Sequence, residues 1–402
     1  MPDKGFDPQV DLFRKCFELS EDLEARAGGY YLIFRALESG QDPTVVLEGR
    51  ALINLASNNY LSLTSHPKVL EAAREALQRY GTGCSGSRWL NGNMRIHEEL
   101  EERLAAFLGK EAAVVFSTGY QTNLGAISCL VGKDDVIFTD KLDHASLLDG
   151  ARMSLGRMVR FRHNDMDHLE SLLRKEKGRA KLIVVDGVYS MEGDLADLPG
   201  IVELARRHQA RLFLDDAHGL GVTGPDGKGT AAHFGLDDQV DLIMGTFSKS
   251  LACIGGFVAG AERPISWIKH LSRSMMFSAA LPPVLTATAR AALEVIEQEP
   301  EIVTRLWSNC EKLRKGLDSL GFDTGDSQTP IIPVILGNEP HLLAMTLNLT
   351  EAGVFVNPVR PPGVPKGREM LRLSLMSGHT GEQIDQALEA LAAAGRTFGI
   401  IP

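Results

Sequence analysis

Seven short apolar runs, at 112–116, 135–139, 157–161, 181–185, 211–214, 241–245 and 254–258, punctuate the middle of the chain, with helical stretches between most of them. Repeated β-α-β units of this kind close as an α/β fold, a largely parallel, doubly wound sheet covered on both faces. Ligands bind such sheets outside the carboxyl ends of the strands, so the residues following each run are the first place to look for chemistry. A chain of 402 residues, 44% hydrophobic and 23% charged, has room for a substantial core and more than one domain. The net charge of −10 argues against a nucleic-acid or anionic-membrane partner. Cys16, Cys84, Cys129, Cys253 and Cys310 are odd in number, scattered and free of any Cys-x-x-Cys spacing, which fits a reducing cytoplasm better than a disulfide framework. Met1-Pro2-Asp3-Lys4-Gly5 lacks the apolar core of a signal peptide, and no apolar run approaches the roughly 20 residues of a membrane span.

The strand ends carry an uneven share of reactive side chains. Gly245-Thr246-Phe247-Ser248-Lys249-Ser250 takes a lysine out of one strand towards another, Ile254-Gly255-Gly256-Phe257-Val258, and a lysine there is a candidate Schiff-base nucleophile. Upstream, Arg211-Leu212-Phe213-Leu214-Asp215-Asp216-Ala217-His218 ends an apolar run in two carboxylates and a histidine. A strand-end carboxylate can hold a pyridine nitrogen protonated, the state in which pyridoxal phosphate (PLP) withdraws electrons from a carbanion. Asp215 suits that role, and His218, three residues on, would lie beside the phenolic oxygen of the same ring. A metal site is not expected, since no second histidine or cysteine cluster stands at ligand spacing. Ser117-Thr118-Gly119-Tyr120-Gln121 places a glycine where a strand turns into a helix, exposing backbone N–H groups, so Thr118, Gly119 and Tyr120 are candidates for a phosphate cup. Arg372, in Leu371-Arg372-Leu373-Ser374-Leu375, is the candidate carboxylate clamp, because two parallel N–H bonds from one guanidinium match a carboxylate as lysine cannot.

The spacing predicts an amphipathic helix over 11–27, with Leu12, Phe13, Phe17 and Leu23 on one side, acting as a packing arm. A second helix over 67–80 would bury Val69, Leu70, Ala73 and Leu77. Gly81-Thr82-Gly83-Cys84-Ser85-Gly86 satisfies G-x-G-x-x-G, but it follows a helix and runs into loop chemistry, so a dinucleotide-binding role is rejected. Residues 1–57 are expected to form the arm and entry segment, 58–300 the large domain, and 301–402 a smaller α+β domain.

Taken together, Asp-Asp-Ala-His-Gly-Leu-Gly at 215–221, Gly-Thr-Phe-Ser-Lys-Ser at 245–250, Asp-His-Ala-Ser-Leu-Leu-Asp-Gly at 143–150 and Leu-Arg-Leu-Ser-Leu at 371–375 resemble the α-oxoamine synthases, a family of the aspartate-aminotransferase fold (PLP fold type I). The likeness runs from about residue 52 to the C-terminus. It implies that Lys249 carries PLP, with Thr246 in the same turn among the cofactor-binding residues. It also implies that His144 stacks on the ring and that Ser190 lies near the phenolic oxygen. By the same resemblance, residues 277–283 would reach the partner subunit's cofactor in a homodimer, with Ser278 as the phosphate contact, and Asn58 would join Arg372 on the substrate carboxylate. One departure stands out: Gly363 replaces a threonine that many relatives direct at that carboxylate.

The activity so implied is a PLP-dependent condensation of a small amino acid with an acyl-CoA, releasing CoA and carbon dioxide. The Gly-Ser-Arg-x-Leu-Asn-Gly form at 86–92 and the 254–258 run resemble the serine palmitoyltransferase side of the family, which favours serine and a long acyl chain. Short-chain ligation in the manner of amino-oxononanoate synthase or aminoketobutyrate CoA ligase remains open, as does an aminotransferase or aldolase of the same fold. A catalytically silent subunit would be expected to lack Lys249, which is present.

Overall fold

The computed structural model describes residues 11–17, 26 and 28–402. A hairpin of β1 (Thr44–Leu47) and β2 (Arg50–Asn54) comes first. The main sheet follows, built from β3 (Ala112–Phe116), β4 (Val136–Asp140), β5 (Arg157–Phe161), β6 (Lys181–Asp186), β7 (Arg211–Asp215), β8 (Leu242–Thr246) and β9 (Gly256–Gly260). The C-terminal third supplies β10 (Ile331–Ile335), β11 (Val354–Phe355), β12 (Asn357–Val359) and β13 (Met370–Ser374).

The seven-stranded sheet has the order β3-β9-β8-β7-β6-β4-β5 and is parallel except for β9, which runs against both neighbours. Both faces are covered, so β4, β8 and β9 are buried at every position and read as continuous apolar or small-residue runs rather than alternating ones. The last apolar run shifts from 254–258 to Gly256–Gly260 because Gly255 has φ +141°, outside any strand conformation. Ile254 is left half exposed in the connection.

β11 pairs in parallel with β2, so the N-terminal hairpin joins a strand from the C-terminal third, while β10, β13 and β12 form a separate antiparallel sheet. The helix at Pro67–Tyr80 forms where expected, with proline in its first turn. Its buried face differs: Val69 and Ala76 are buried, whereas Leu70 and Leu77 are exposed, because the neighbouring helix Pro283–Gln298 meets it along the other seam. The proposed N-terminal helix over 11–27 falls largely outside the described residues. What is described is one turn at Arg14–Phe17, with Leu12 and Phe13 exposed rather than packed. No described helix is long and apolar enough to cross a membrane.

Candidate active site

The carboxyl ends of β6, β7 and β8 lie side by side, because parallel pairing sets Asp186 opposite Asp215 and Asp215 opposite Met244. Successive strand residues point to opposite faces, and the two adjacent carboxylates divide accordingly. Asp215 is buried and accepts from Asn123 Nδ2 at 2.6 Å and from the Ala217 amide at 3.0 Å. Asp216 faces the other way and holds the Thr230 amide and hydroxyl at 2.7 and 2.5 Å, a structural clasp on the 217–230 loop. Asn123 also donates to Ser146 Oγ at 2.9 Å, and that oxygen lies 2.7 Å from His144 Nδ1. A hydrogen-bonded chain therefore joins Asp215 to His144, which is fixed at the start of its helix by the bond from its amide to Asp186 Oδ2 at 2.6 Å.

Lys249 stands just beyond β8, half buried, and no hydrogen bond or ion pair among the described residues ends on its amine. Burial pushes its ammonium down to about 8; Asp215 and Asp186 pull against that shift, and Arg372 adds to it. Burial also lowers His144, opposed by Asp215, and lowers His218 well below its usual value, with Lys249 and Arg372 adding to the effect. Both imidazoles are thus held neutral. Asp186 is pushed well above the carboxylate range by burial and by the neighbouring Asp215.

On the other wall, His218 Nδ1 lies 2.7 Å from the Tyr60 hydroxyl, which is 3.2 Å from Asn58 Oδ1. Arg372 reaches the same Asn58 oxygen from β13 at 3.2 Å. Its Nε donates to the Ser190 carbonyl at 2.5 Å and its Nη1 to Ser374 Oγ at 2.8 Å. Three of the five guanidinium donors are spent on fixing the side chain, which leaves two for a ligand. The contact from Ser190 to this network is its carbonyl. Gly363 sits in an exposed turn closed by its own amide bond to the Arg360 carbonyl.

At the start of the helix Gly119–Leu130, Thr118 Oγ1 accepts from the Gln121 amide, leaving the Gly119 and Tyr120 amides with no acceptor among the described residues. A Cβ on Gly119 would stand 2.7 Å from Thr246 Oγ1, so this backbone approaches β8 as only glycine can. The Tyr120 hydroxyl donates to Asp149, away from the turn. Ser278 Oγ accepts from Gln121 Nε2 at 3.2 Å within the same chain.

The structure therefore brings His144, Asp215, His218, Lys249 and Arg372 within electrostatic reach of one another, with Asn58 bonded to Arg372 and the glycine turn set against Thr246. Residue patterns alone gave no role to Asn123, Ser146, Asp186 or Tyr60. Asn123 had a readable signal, a polar side chain on the buried side of a helix that follows a strand-end glycine. Asp186 had the same strand-end position as Asp215.

Residues 50–391 match the family described as aminotransferase class I and II. The chain belongs to that family. Within it, the chain is similar to the serine palmitoyltransferase of Bacteriovorax stolpii, 49% identical over 93% of this chain and 90% of the relative. It is similar also to the 8-amino-7-oxononanoate synthase of Thermoanaerobacter pseudethanolicus, 43% identical over 94% and 96% of the two chains. The solved serine palmitoyltransferase from S. paucimobilis with PLP and myriocin bound superposes with a TM-score of 0.94, at 38% identity over 97% of this chain and all of that one. Both named activities belong to the α-oxoamine synthases, so the resemblance carried by the four motifs holds over most of the chain.

Proposed function

We propose that this chain carries PLP on Lys249 and condenses a small amino acid, serine ahead of alanine or glycine, with a fatty acyl-CoA, giving an aminoketone, CoA and carbon dioxide. The observation that carries this reading is the 49% identity to serine palmitoyltransferase across 93% of the chain. The site supports it residue by residue. The glycine turn, with two unspent amides, suits a phosphate, and Thr246 lies against the same turn. Asp215 suits a protonated ring nitrogen, and the neutral His144 and His218 add no competing positive charge beside it.

When bound, PLP supplies an electron sink for negative charge at the substrate's α-carbon. The chain's own residues do the rest. Arg372 and Asn58 hold the amino-acid carboxylate. With the cofactor bound, Asp215 would keep a proton on its ring nitrogen, and His218, steadied by Tyr60 at 2.7 Å, and Ser190 would attend its phenolic oxygen. Lys249 takes the proton from the α-carbon, for which an amine lowered to about 8 is better suited than an ordinary lysine. We take the working unit to be a cytoplasmic homodimer in which residues 277–283 serve the partner's cofactor site; an active monomer by mass measurement in solution would overturn that arrangement.

A second reading, 8-amino-7-oxononanoate synthase-like or other short-chain activity, is favoured by the 43% identity to such a synthase. A long chain gains about 0.8 kcal/mol per buried methylene where an apolar channel receives it, so chain-length dependence separates the two. The test is kcat/KM for glycine, alanine and serine against acetyl-, octanoyl- and palmitoyl-CoA. Serine with palmitoyl-CoA is expected to lead. A lead of more than about tenfold for glycine with acetyl-CoA would refute the long-chain reading and leave the reaction class standing.

A further inference from the structure

Next to the site, and joined to it through Asp186, lies a cluster of buried carboxylates with His163 as its hydrogen-bonded cation. Asp140, the last residue of β4, accepts from the Leu142 amide at 2.8 Å, the Asn164 amide at 2.9 Å and His163 Nδ1 at 3.0 Å. The other ring nitrogen of His163 lies 2.8 Å from Asp194 Oδ2. A neutral imidazole has one donor and one acceptor nitrogen, so it cannot donate to two ionised carboxylates. With both nitrogens on carboxylate oxygens, His163 is an imidazolium. Burial alone would lower its pKa, but the bonds to Asp140 and Asp194 override that and raise it to about 9. The other two acids of the cluster, Asp143 and Asp186, are pushed upward by burial and do not compete for this cation. The Tyr189 ring stands edge-on to the imidazole, with centroids 4.5 Å apart.

The bond to Asp194 matters because of where the 187–196 loop goes. On one side the start of the loop is tied to the main sheet by the Gly187 amide on the Asp215 carbonyl at 2.7 Å, and its far end by this corner: His163 to Asp194, and Asn164 Nδ2 to Asp194 Oδ2 at 3.3 Å and to the Leu195 carbonyl at 3.0 Å. On the other it meets the C-terminal third. The Gln328 amide and Thr329 Oγ1 donate to the Gly193 carbonyl at 3.0 and 2.9 Å, Glu192 pairs with Arg368, and the Ser190 carbonyl receives Arg372 Nε. The loop therefore links the corner at Asp140 and His163 to the Ser190 carbonyl that receives an arginine of β13.

We propose that His163, held as a cation between Asp140 and Asp194, is a positioning residue for the amino-acid carboxylate: it fixes the 187–196 loop so that the Ser190 carbonyl aims Arg372 at the substrate. This rests on the reading of Arg372 as the carboxylate clamp.

The test is an L-serine titration of the PLP-loaded enzyme, followed by the cofactor's absorption, in His163→Gln, Asn164→Gly and Arg372→Lys. Asn164 has φ +47°, so glycine removes its side-chain bonds without straining the backbone. His163→Gln is expected to weaken serine binding by about tenfold, and Asn164→Gly by about threefold in the same direction, while PLP retention and its resting spectrum stay as in the parent. A merely structural role would lower PLP retention and leave serine affinity unmoved, and that result overturns the proposal; a lower melting temperature is common to both roles and decides nothing. If His163→Gln yields no folded protein, Asn164→Gly decides alone: unchanged serine affinity overturns the proposal, and a selective loss sustains it. Should Arg372→Lys bind serine as the parent does, the clamp reading itself fails; should Arg372→Lys weaken binding while the other two do not, only the role of His163 falls.

Discussion

The lowered pKa of Lys249 can be tested through the rate at which apoenzyme captures PLP covalently. Only the free amine attacks the aldehyde, so a lower ammonium pKa raises the reactive fraction at neutral pH. With a value of about 8, roughly a tenth of the lysine is free amine at pH 7, against about three in ten thousand for a lysine of ordinary pKa. Capture at pH 7 should therefore run roughly 300-fold faster than for an exposed lysine of equal nucleophilicity, and its rate should level off a little above pH 8 rather than climb to pH 10. Asp215 is the largest influence holding the ammonium up. Asp215→Asn should consequently shift the midpoint downward, even though it costs turnover in the loaded enzyme. Stopped-flow absorption of apoenzyme mixed with PLP across pH 6 to 10.5 reads both effects. A midpoint near 10 in the parent, or an upward shift in Asp215→Asn, would refute the electrostatic account of Lys249.

Other outcomes follow from named contacts. Arg372→Lys loses a planar fork whose donors are shared between anchors and ligand, and should raise the KM for the amino acid by about ten- to a hundredfold with a smaller change in kcat; initial rates at saturating acyl-CoA would show otherwise if kcat alone fell. Gly119→Ala drives a methyl against Thr246 Oγ1, which is tied to the Gly255 carbonyl at 3.0 Å and Ser248 Oγ at 2.8 Å and cannot swing aside. Overpacking of about 1–3 kcal/mol at that turn should weaken PLP binding by roughly five- to 150-fold, measured by equilibrium dialysis, and unchanged affinity would remove the turn from the cofactor site. His163, raised from 6.5 to about 9 on folding, contributes stability that is full below pH 6.5 and lost as pH rises through 9. The parent should therefore lose more stability across that window than His163→Gln does, as read by urea unfolding at both ends; parallel curves would contradict the charged-imidazole assignment.

The strand ends were legible because a parallel sheet buried on both faces needs continuous apolar runs, and polar residues mark where each run leaves the core. Asp215, Lys249 and the glycine turn at 119 could be singled out on that ground. What escaped notice depends on contacts between residues distant in sequence. The bond from Asn123 to Asp215 spans 92 positions, and that between Tyr60 and His218 spans 158. No local pattern encodes either. The exposed Leu70 and Leu77 show the same limit, since helical periodicity reveals that a face is apolar but not which neighbour will cover it. The place of His163 depends in the same way on Asp140 and Asp194, 23 and 31 residues away, which meet its two ring nitrogens.

The most direct test of the proposed condensation is to incubate the PLP-loaded enzyme with carboxyl-labelled serine and palmitoyl-CoA and to follow CoA thiol and labelled carbon dioxide together. The account predicts that both appear in equal amounts, that neither appears when either substrate is left out, and that Lys249→Ala abolishes both. Labelled carbon dioxide formed without acyl-CoA, or amino-group transfer to a keto acid with no CoA released under any of the nine pairings, would contradict it.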